Sequence, residues 1–283
     1  MTYNFKGKTV LITGGTGSLG QGLLRRIKGA KEIRVFSRSE TGQIPLKDEY
    51  PKVKFILGDV SYFPLVRDAV SGVDVVIHAA AFKFLNLAEE QPRQCVVSNI
   101  IGTINIIDAV KYEPKVKICL GISTDKVAYA RNVYGCTKHI MEKLFREASK
   151  HSKTIFCCAR YGNVLGTTGS VLKIWEKQKA AKKPLTVTDR EMTRFFFSVN
   201  EAIDLIFYTL AHAKAGEVIA SKMPAKRIYD MAVEFANGGP IKMVGLRPGE
   251  KRHETLVADY EGESYTSDMA VDNRSRGYIV IKN

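Results

Sequence analysis

A glycine-rich turn near the N-terminus constrains this chain more than any other part of its sequence. The strand-like run Thr9–Thr13 leads into Gly14, Gly17 and Gly20, which are spaced three residues apart, and an amphipathic stretch, Leu19–Lys28, follows. Glycines at this spacing let the backbone approach a pyrophosphate, and the helix that follows directs free N–H groups towards it. The pattern predicts a dinucleotide-binding turn rather than an incidental one, because it joins the first strand to the first helix of the chain.

Short apolar strands alternate with longer amphipathic stretches through the first half of the chain. Several strands are continuous runs rich in Val and Ile, which is typical of strands buried on both faces. The alternation predicts an α/β fold, a Rossmann-type doubly wound parallel sheet with helices on both sides. The predicted strands are Thr9–Thr13, Glu32–Phe36, Lys54–Leu57, Val73–His78, Lys117–Ile122 and Thr154–Ala159, and the predicted helices are Leu19–Lys28, Tyr62–Val70, Arg93–Val110 and Tyr134–Lys150.

The second half is less regular and contains no clean linker, repeat or low-complexity segment. We therefore expect a dinucleotide-binding lobe, residues 1–160, and a smaller C-terminal lobe, residues 161–283, that binds substrate and interleaves with the first. The elements predicted there are helices at Val171–Lys182, Asn200–His212 and Ile228–Phe235 and strands at Pro184–Val187, Glu217–Ala220 and Tyr278–Ile281.

Composition excludes several classes of function. The 43 basic and 29 acidic residues give a charge of +14, but the basic residues are dispersed, so we expect a phosphorylated small molecule and no nucleic acid as partner. The five cysteines show neither CxxC nor zinc-ligand spacing, which predicts no metal site and a reducing compartment. No apolar run reaches the roughly 18 residues of a membrane span and no signal peptide is visible, so we expect a cytoplasmic protein without a membrane partner.

The end of the second predicted strand indicates which dinucleotide binds. A site that prefers NAD usually has an acidic residue there, whereas this chain has Ser37 and Arg38. A hydroxyl and a guanidinium suit the 2′-phosphate of NADP, since Arg can bind phosphate through two N–H groups at once. We therefore predict NADP; the alternative is that Arg38 is a solvated loop cation. Further predicted cofactor contacts follow the third and fourth strands: Asp59, Val60, Ala79, Ala80 and Ala81.

Tyr134 and Lys138 lie four residues apart on a predicted helix and therefore share one face. A nearby ammonium favours the phenolate and lowers the pKa of the tyrosine, which makes it a usable base near neutral pH. Such pairs often arise by chance, but this one follows the glycine turn and a strand ending in Thr124. We therefore predict hydride transfer beside Tyr134 and Lys138.

With these motifs in place, the chain resembles the extended short-chain dehydrogenases/reductases, and among them the short, C5-inverting UDP-N-acetylglucosamine 4,6-dehydratases of pseudaminic-acid-type pathways. The resemblance covers nearly the whole chain. Its most specific part is Thr124-Asp125-Lys126, because nucleoside-diphosphate-glucose dehydratases usually carry Asp-Glu there. The matching motifs are Thr13–Gly20, Ser37-Arg38, Gly58–Val60, His78–Ala81 with Lys83, Ser123–Lys126, Tyr134 with Lys138, Arg160–Val164, Met192–Phe195 and Arg247–Lys251.

The resemblance implies a reaction. Tyr134 would deprotonate the sugar 4-hydroxyl while NADP accepts the C4 hydride, and Thr124 would hydrogen-bond the 4-oxygen. Lys126 would then remove the C5 proton, Asp125 would protonate the departing C6 hydroxyl, and the hydride would return to C6. As a base, Lys126 must be neutral, which requires desolvation or a nearby cation such as Lys138.

The resemblance also implies the residues of the site. The catalytic residues would be Thr124, Asp125, Lys126, Tyr134 and Lys138. The cofactor contacts would be Gly14, Thr16, Gly17, Ser18, Leu19, Gly20, Ser37, Arg38, Asp59, Val60, Ala79, Ala80, Ala81, Lys83, Tyr134 and Lys138. The UDP-sugar contacts would be Lys83, Asn163, Arg194, Arg247 and Glu250.

Other interpretations stay open. A nucleotide-sugar 4-epimerase or 4-ketoreductase on the same fold would not need Asp125 and Lys126, which would then form a surface turn. A non-enzymatic NADP-sensing protein would commonly lack one member of the Tyr–Lys pair. Arg194 and Glu250 would, in the simpler interpretation, be a structural ion pair. The family commonly forms dimers or hexamers, so we expect a homo-oligomer.

Overall fold

A sheet of nine strands forms the centre of the computed structural model, which describes residues 3–167, 169–261, 264–267 and 277–281. The strands of the described chain are β1 (Thr9–Thr13), β2 (Glu32–Ser37), β3 (Lys54–Leu57), β4 (Val75–His78), β5 (Ile118–Thr124), β6 (Ile155–Tyr161), β7 (Asn163–Val164), β8 (Leu185–Val187), β9 (Thr193–Phe197), β10 (Val218–Ser221), β11 (Ala225–Arg227), β12 (Ile241–Met243), β13 (Ser264–Ser267) and β14 (Tyr278–Ile281). The order across the main sheet is β13-β14-β10-β6-β5-β4-β1-β2-β3.

The main sheet is parallel from β3 to β10 and antiparallel at β13 and β14. Its central strands β4 and β5 are buried along their whole length, as their apolar runs predict. The chain order reverses beside β1, which places the carboxyl ends of β1 and β4 at a crevice suited to a ligand. The predicted doubly wound α/β fold is confirmed.

The helices connect these strands and pack in two groups. Those of the described chain are α1 (Ser18–Arg26), α2 (Glu40–Glu49), α3 (Phe63–Val70), α4 (Leu85–Glu90), α5 (Pro92–Val96), α6 (Gly102–Lys111), α7 (Val133–Lys150), α8 (Val171–Ala180), α9 (Val199–His212) and α10 (Ile228–Ala236). Helix α1 packs on α9, whereas α6 packs on both α3 and α7. No helix among the described residues is long and apolar enough to cross a bilayer.

The structure differs from the sequence prediction at several elements. The single helix predicted over Arg93–Val110 is α5 and α6 joined by a π-helical turn, Val97–Ile101, which buries Ser98 and Asn99. Helix α2 was not predicted because its sequence is weakly amphipathic and includes Pro45. Strand β9 was not predicted because its partners, β7 and β11, are distant in sequence.

Beyond the main sheet lies a second hydrophobic core. Trp175 of α8 is fully buried there, beside residues of β8, β9 and α10. Two small sheets, β11-β9-β7 and β12-β8, surround it. Strands β10, β13 and β14 instead return to the main sheet. The division at residue 160 stays a prediction.

Candidate active site

The glycine turn forms one end of a cleft of about 450 Å³ at the carboxyl ends of the parallel strands. Gly14 has φ +68°, and a Cβ atom there would lie 2.8 Å from the backbone of Ala80, so only glycine fits between β1 and β4. Gly17 precedes α1 as its N-cap without a side-chain hydrogen bond to the helix. The first N–H groups of α1 therefore face the cleft without a side-chain cap, as a pyrophosphate requires.

Most of the predicted cofactor contacts line this cleft: Gly14, Thr16, Gly17, Ser18, Leu19, Ser37, Arg38, Val60, Ala79, Ala80, Ala81, Lys83, Tyr134 and Lys138. Gly20 lies behind it, since a Cβ atom there would collide with the backbone of Gly15. Asp59 is also outside the lining, where its Oδ1 accepts a hydrogen bond from the backbone N–H of Ser61 (2.8 Å). These two residues shape the cleft from behind.

The residues at the end of β2 differ in what they offer to a ligand. Ser37 is buried, and its hydroxyl accepts a hydrogen bond from Nε2 of Gln43 (3.0 Å). Arg38 is half-exposed, and Nη1 lies 3.3 Å from Oδ2 of Asp59. Burial raises the pKa of Asp59, but hydrogen bonds from Ser61 and the Arg38 charge bring it below its ordinary value. The donor set fits an NAD-type dinucleotide, and Arg38 is the cation at the end of β2 that lines the cleft.

Tyr134 and Lys138 lie on the first turns of α7 and line the cleft; Lys138 is buried and Tyr134 is half-buried. Asn132 caps this helix by accepting a hydrogen bond from the backbone N–H of Gly135 (2.7 Å). Burial lowers the pKa of Lys138 to about 8 and raises that of Tyr134 to about 12. The expected lowering of the tyrosine pKa is therefore outweighed by desolvation, and the ammonium that favours its phenolate is that of Lys126 rather than Lys138.

The Asp125-Lys126 step directly follows β5 and is buried, not a surface turn. Nζ of Lys126 donates to Oδ1 of Asp125 (2.9 Å), and the Thr124 hydroxyl donates to the same oxygen (3.1 Å). The other carboxylate oxygen of Asp125 is buried without a hydrogen-bond partner among the described residues. Asp125 itself lines neither cleft, whereas Thr124 and Lys126, which both contact it, line the cleft beside the glycine turn.

The protonation state of Lys126 differs from the neutral base that the family resemblance requires. Burial lowers the pKa of Lys126, but the carboxylates of Asp125 and Glu254 outweigh burial and raise it above its ordinary value. Without substrate, the side chain is therefore an ammonium.

A second cleft of about 460 Å³ contains all the predicted substrate contacts: Lys83, Asn163, Arg194, Arg247 and Glu250. The two clefts share Lys83, Lys126, Asn163, Val164 and Thr167. A molecule that extends through the second cleft would therefore present one end to Lys126 and Asn163, where the two clefts meet.

The predicted substrate cations are held in different ways. Arg194 is buried, and its guanidinium donates to the backbone carbonyls of Thr193 (2.8 Å), Lys251 (2.8 Å) and Arg252 (2.9 Å). It is thus largely a structural residue of this segment. The half-exposed guanidinium of Arg247, by contrast, is oriented at the cleft by Glu250 (2.9 Å).

The sequence interpretation missed Glu254, which lies in the same charged cluster. Its Oε1 is 3.6 Å from Nζ of Lys126, and its Oε2 is 3.0 Å from Nζ of Lys251. The available signal was its place three residues after Lys251, at the end of a matched motif. This signal did not suggest a role for Glu254, because only the folded chain brings its segment next to Lys126 at the end of β5.

Comparison with known proteins places this site in a family. The family model described as "Polysaccharide biosynthesis protein" matches residues 10–272. A UDP-glucose 4-epimerase of Rickettsia bellii is 39% identical over 272 residues, which span 91% of this chain and 80% of the relative. The structure of Pen from Bacillus thuringiensis superposes with a TM-score of 0.90 at 33% identity, covering 98% of this chain and 90% of Pen.

More distant structures share the fold. DesIV, a dTDP-glucose 4,6-dehydratase of Streptomyces venezuelae solved with NAD and TYD, has a TM-score of 0.81 at 18% identity, with 88% of each chain covered. A UDP-glucose 4-epimerase of Thermus thermophilus, solved with NAD, has a TM-score of 0.75 at 20% identity, covering 88% of this chain and 90% of that chain. The same architecture therefore occurs in nucleotide-sugar dehydratases and epimerases alike.

Proposed function

Because the chain belongs to the polysaccharide biosynthesis protein family, as a nucleotide-sugar enzyme of the extended short-chain dehydrogenase/reductase fold, we propose that it dehydrates UDP-N-acetylglucosamine across C5 and C6. The product is a UDP-2-acetamido-2,6-dideoxy-hexos-4-ulose, formed with inversion at C5. The observation that carries the proposal is the buried Asp125–Lys126 pair, whose Lys126 lines both clefts where they meet. A plain 4-epimerase has no use for an acid–base pair there.

The cofactor would lie between the glycine turn and Tyr134, with Arg38 at the 2′-phosphate of NADP. It supplies a hydride acceptor that later returns the hydride. Tyr134 would take the proton of the sugar 4-hydroxyl as its phenolate, which the charge of Lys126 and the hydrogen bond with Thr124 favour against the burial that raises the pKa of the phenol, and Thr124 would orient the 4-oxygen. The new 4-ketone acidifies the C5–H bond, which prepares the elimination.

The elimination uses one proton that Lys126 first passes to Asp125 across their hydrogen bond. Neutral Lys126 then takes the C5 proton, and Asp125 protonates the C6 hydroxyl, which leaves as water. Inversion requires that C5 then receives a proton on the face opposite Lys126, and the proton that Tyr134 took from the 4-hydroxyl would balance this step. Tyr134, Asp125 and Lys126 would thereby all return to their starting protonation states, with the Thr124 hydroxyl in contact with both Tyr134 and Asp125.

Substrate binding follows from the second cleft. Arg247 and Lys83 supply cations for the diphosphate, Asn163 contacts the sugar beside Lys126, and Glu250 accepts from the uridine ribose hydroxyls. We also propose that the protein works as a homo-oligomer, which light scattering would test.

Mass spectrometry after incubation with UDP-N-acetylglucosamine and NADP tests the proposal. Loss of one water from the nucleotide sugar supports it, and an unchanged mass contradicts it. In deuterated solvent, deuterium enters C5, and the proton couplings of the product ring report whether C5 has inverted.

A second candidate is 4-epimerisation, which the Rickettsia relatives favour by their name. The same experiment separates the two, because epimerisation leaves the mass unchanged and gives a galacto-configured product. UDP-glucose and UDP-N-acetylglucosamine are compared in parallel, since the named relative acts on the former.

A further inference from the structure

The side chain of Lys126 faces more oxygen atoms than an acid–base pair needs. Its Nζ lies 2.9 Å from Oδ1 of Asp125, 3.2 Å from Oδ1 of Asn163 and 3.6 Å from Oε1 of Glu254. An ammonium has three donors and no acceptor. This set of oxygens therefore suits the charged lysine. A neutral amine has a lone pair that accepts a hydrogen bond, and none of these three contacts supplies a donor for it.

Glu254 is also paired with a second lysine. Its side chain is buried, and Oε2 pairs with Nζ of Lys251 at 3.0 Å. The same Nζ donates to the backbone carbonyl of Ala128 at 2.7 Å, in the loop that follows Lys126. The segment that carries Glu254 is thereby fastened to the segment that carries the acid–base pair.

We propose that Glu254 is a positioning residue that keeps Lys126 protonated between turnovers, so that Lys126 becomes the C5 base only after its proton has moved to Asp125. This proposal rests on the proposed dehydration. Glu254 lines neither cleft and acts through Lys126.

The charges around Lys126 support this role. Burial works against the ammonium, and so does Arg194, whereas Asp125 and Glu254 stabilise it. The same positive charge acts on Tyr134, which faces Lys126 from α7, and lowers the pKa of its phenol against the effect of burial. Burial raises the pKa of Glu254, but Lys126 and Lys251 bring it below its ordinary value, so the carboxylate stays ionised.

The proton transfers of the reaction show how Glu254 would act during turnover. One proton moves from Nζ of Lys126 to Oδ1 of Asp125, and this single step creates the C5 base and the C6 acid together. When Lys126 later takes the C5 proton, Glu254 stabilises the ammonium that forms again. An interaction that strengthens as the proton arrives lowers the barrier of that step.

Carbon-detected NMR of lysines labelled at Cε tests the resting state without turnover. The Lys126 signal is assigned by its loss in Lys126→Met. We expect Lys126 to remain protonated at the ordinary lysine pKa of 10.5 and Glu254→Gln to lower its pKa by about one unit, a tenfold change in the acid constant. Titration of wild-type Lys126 below its ordinary value, or an unchanged pKa in Glu254→Gln, overturns the proposal.

Kinetics supply the second arm. In Glu254→Gln we expect kcat to fall roughly tenfold to a hundredfold, less than the roughly hundredfold to ten-thousandfold that loss of a general acid or base itself costs, while KM changes less than about threefold. The pH limb governed by Lys126 moves to lower pH, because the neighbouring negative charge is gone. Glu176→Gln, an exposed glutamate of α8, is the matched control.

The outcomes separate the two proposals. If the wild-type protein releases no water from UDP-N-acetylglucosamine, the proposed function is wrong. The NMR titration then still tests whether Glu254 keeps Lys126 protonated. If wild-type protein dehydrates and Glu254→Gln keeps the same pH profile, the role of Glu254 is wrong. If Glu254→Gln does not fold, the wild-type titration and Glu254→Asp, which keeps the charge and should keep the high Lys126 pKa, decide.

Discussion

Nζ of Lys126 lies 2.9 Å from Oδ1 of Asp125; both side chains are buried, and Lys126 lines both clefts where they meet. A buried ion pair is weak evidence for stability, because desolvation offsets much of its attraction. Its position beside Tyr134 is better explained by chemistry, since a proton can pass between the two groups without a change in net charge.

Removing either member of this pair should separate oxidation from elimination. In Asp125→Asn and Lys126→Met, we expect C4 oxidation to persist, seen as reduced-cofactor absorbance, while water loss falls roughly a hundredfold to ten-thousandfold. Lys115→Met, which removes an ion pair with Asp74 outside both clefts, serves as the control. Normal water loss in both site variants would contradict the proposed roles.

Removing the phenol of Tyr134 should stop the first step. Tyr134→Phe keeps the ring but cannot accept the 4-hydroxyl proton, so we expect kcat to fall roughly a hundredfold to ten-thousandfold. Cofactor affinity, measured by calorimetry, should change little. Retained turnover would show that another group is the base.

Arg38 should determine the preference for NADP. Because a hydrogen bond to a charged group contributes about 1.5–3 kcal/mol, Arg38→Ala should weaken NADP binding by roughly tenfold to a hundredfold. NAD binding should hardly change, which calorimetry with both cofactors checks. Arg67→Ala, an exposed arginine paired with Asp68, is the control. Equal loss of both cofactors would contradict the role at the 2′-phosphate.

Replacing Arg247 should weaken binding of the nucleotide and leave binding of the cofactor unchanged. Its guanidinium is half-exposed at the second cleft and oriented by Glu250. Arg247→Ala should weaken UDP binding about tenfold through loss of a charged contact to phosphate. Arg252→Ala, whose side chain pairs with Asp189, is the comparison. Unchanged UDP affinity would place the diphosphate elsewhere.

Lys138 should make stability depend on pH. Its pKa falls from 10.5 unfolded to about 8 in the fold because of burial. Between these values the unfolded chain holds a proton that the native state has released, so stability rises with pH. Relative to Lys138→Met, the cofactor-free wild type should gain about 3 kcal/mol across this window.

Denaturant unfolding at several pH values measures this difference. Lys143→Met, at an exposed position of α7, controls for helix propensity. A difference that stays constant with pH would mean that Lys138 keeps its proton in the fold.

The main features of the fold and much of the site were accessible from local patterns. The glycine turn, the central strands and α7 follow from runs of adjacent residues, and so does the Thr124-Asp125-Lys126 motif. Helix α2 and strand β9 were not accessible, because Pro45 disturbs the first and distant pairing forms the second.

Local patterns were sufficient to predict the doubly wound architecture, the place of the phosphate turn and the candidate residues, because apolar periodicity and glycine spacing are properties of neighbouring residues. The electrostatics of the site, by contrast, arise only in the folded chain. Burial raises the pKa of Tyr134 and lowers that of Lys138, and the carboxylate of Asp125, joined by that of Glu254 from a distant segment, keeps Lys126 an ammonium against burial. These effects depend on desolvation and on charges brought together from distant parts of the chain, which no spacing of residues encodes.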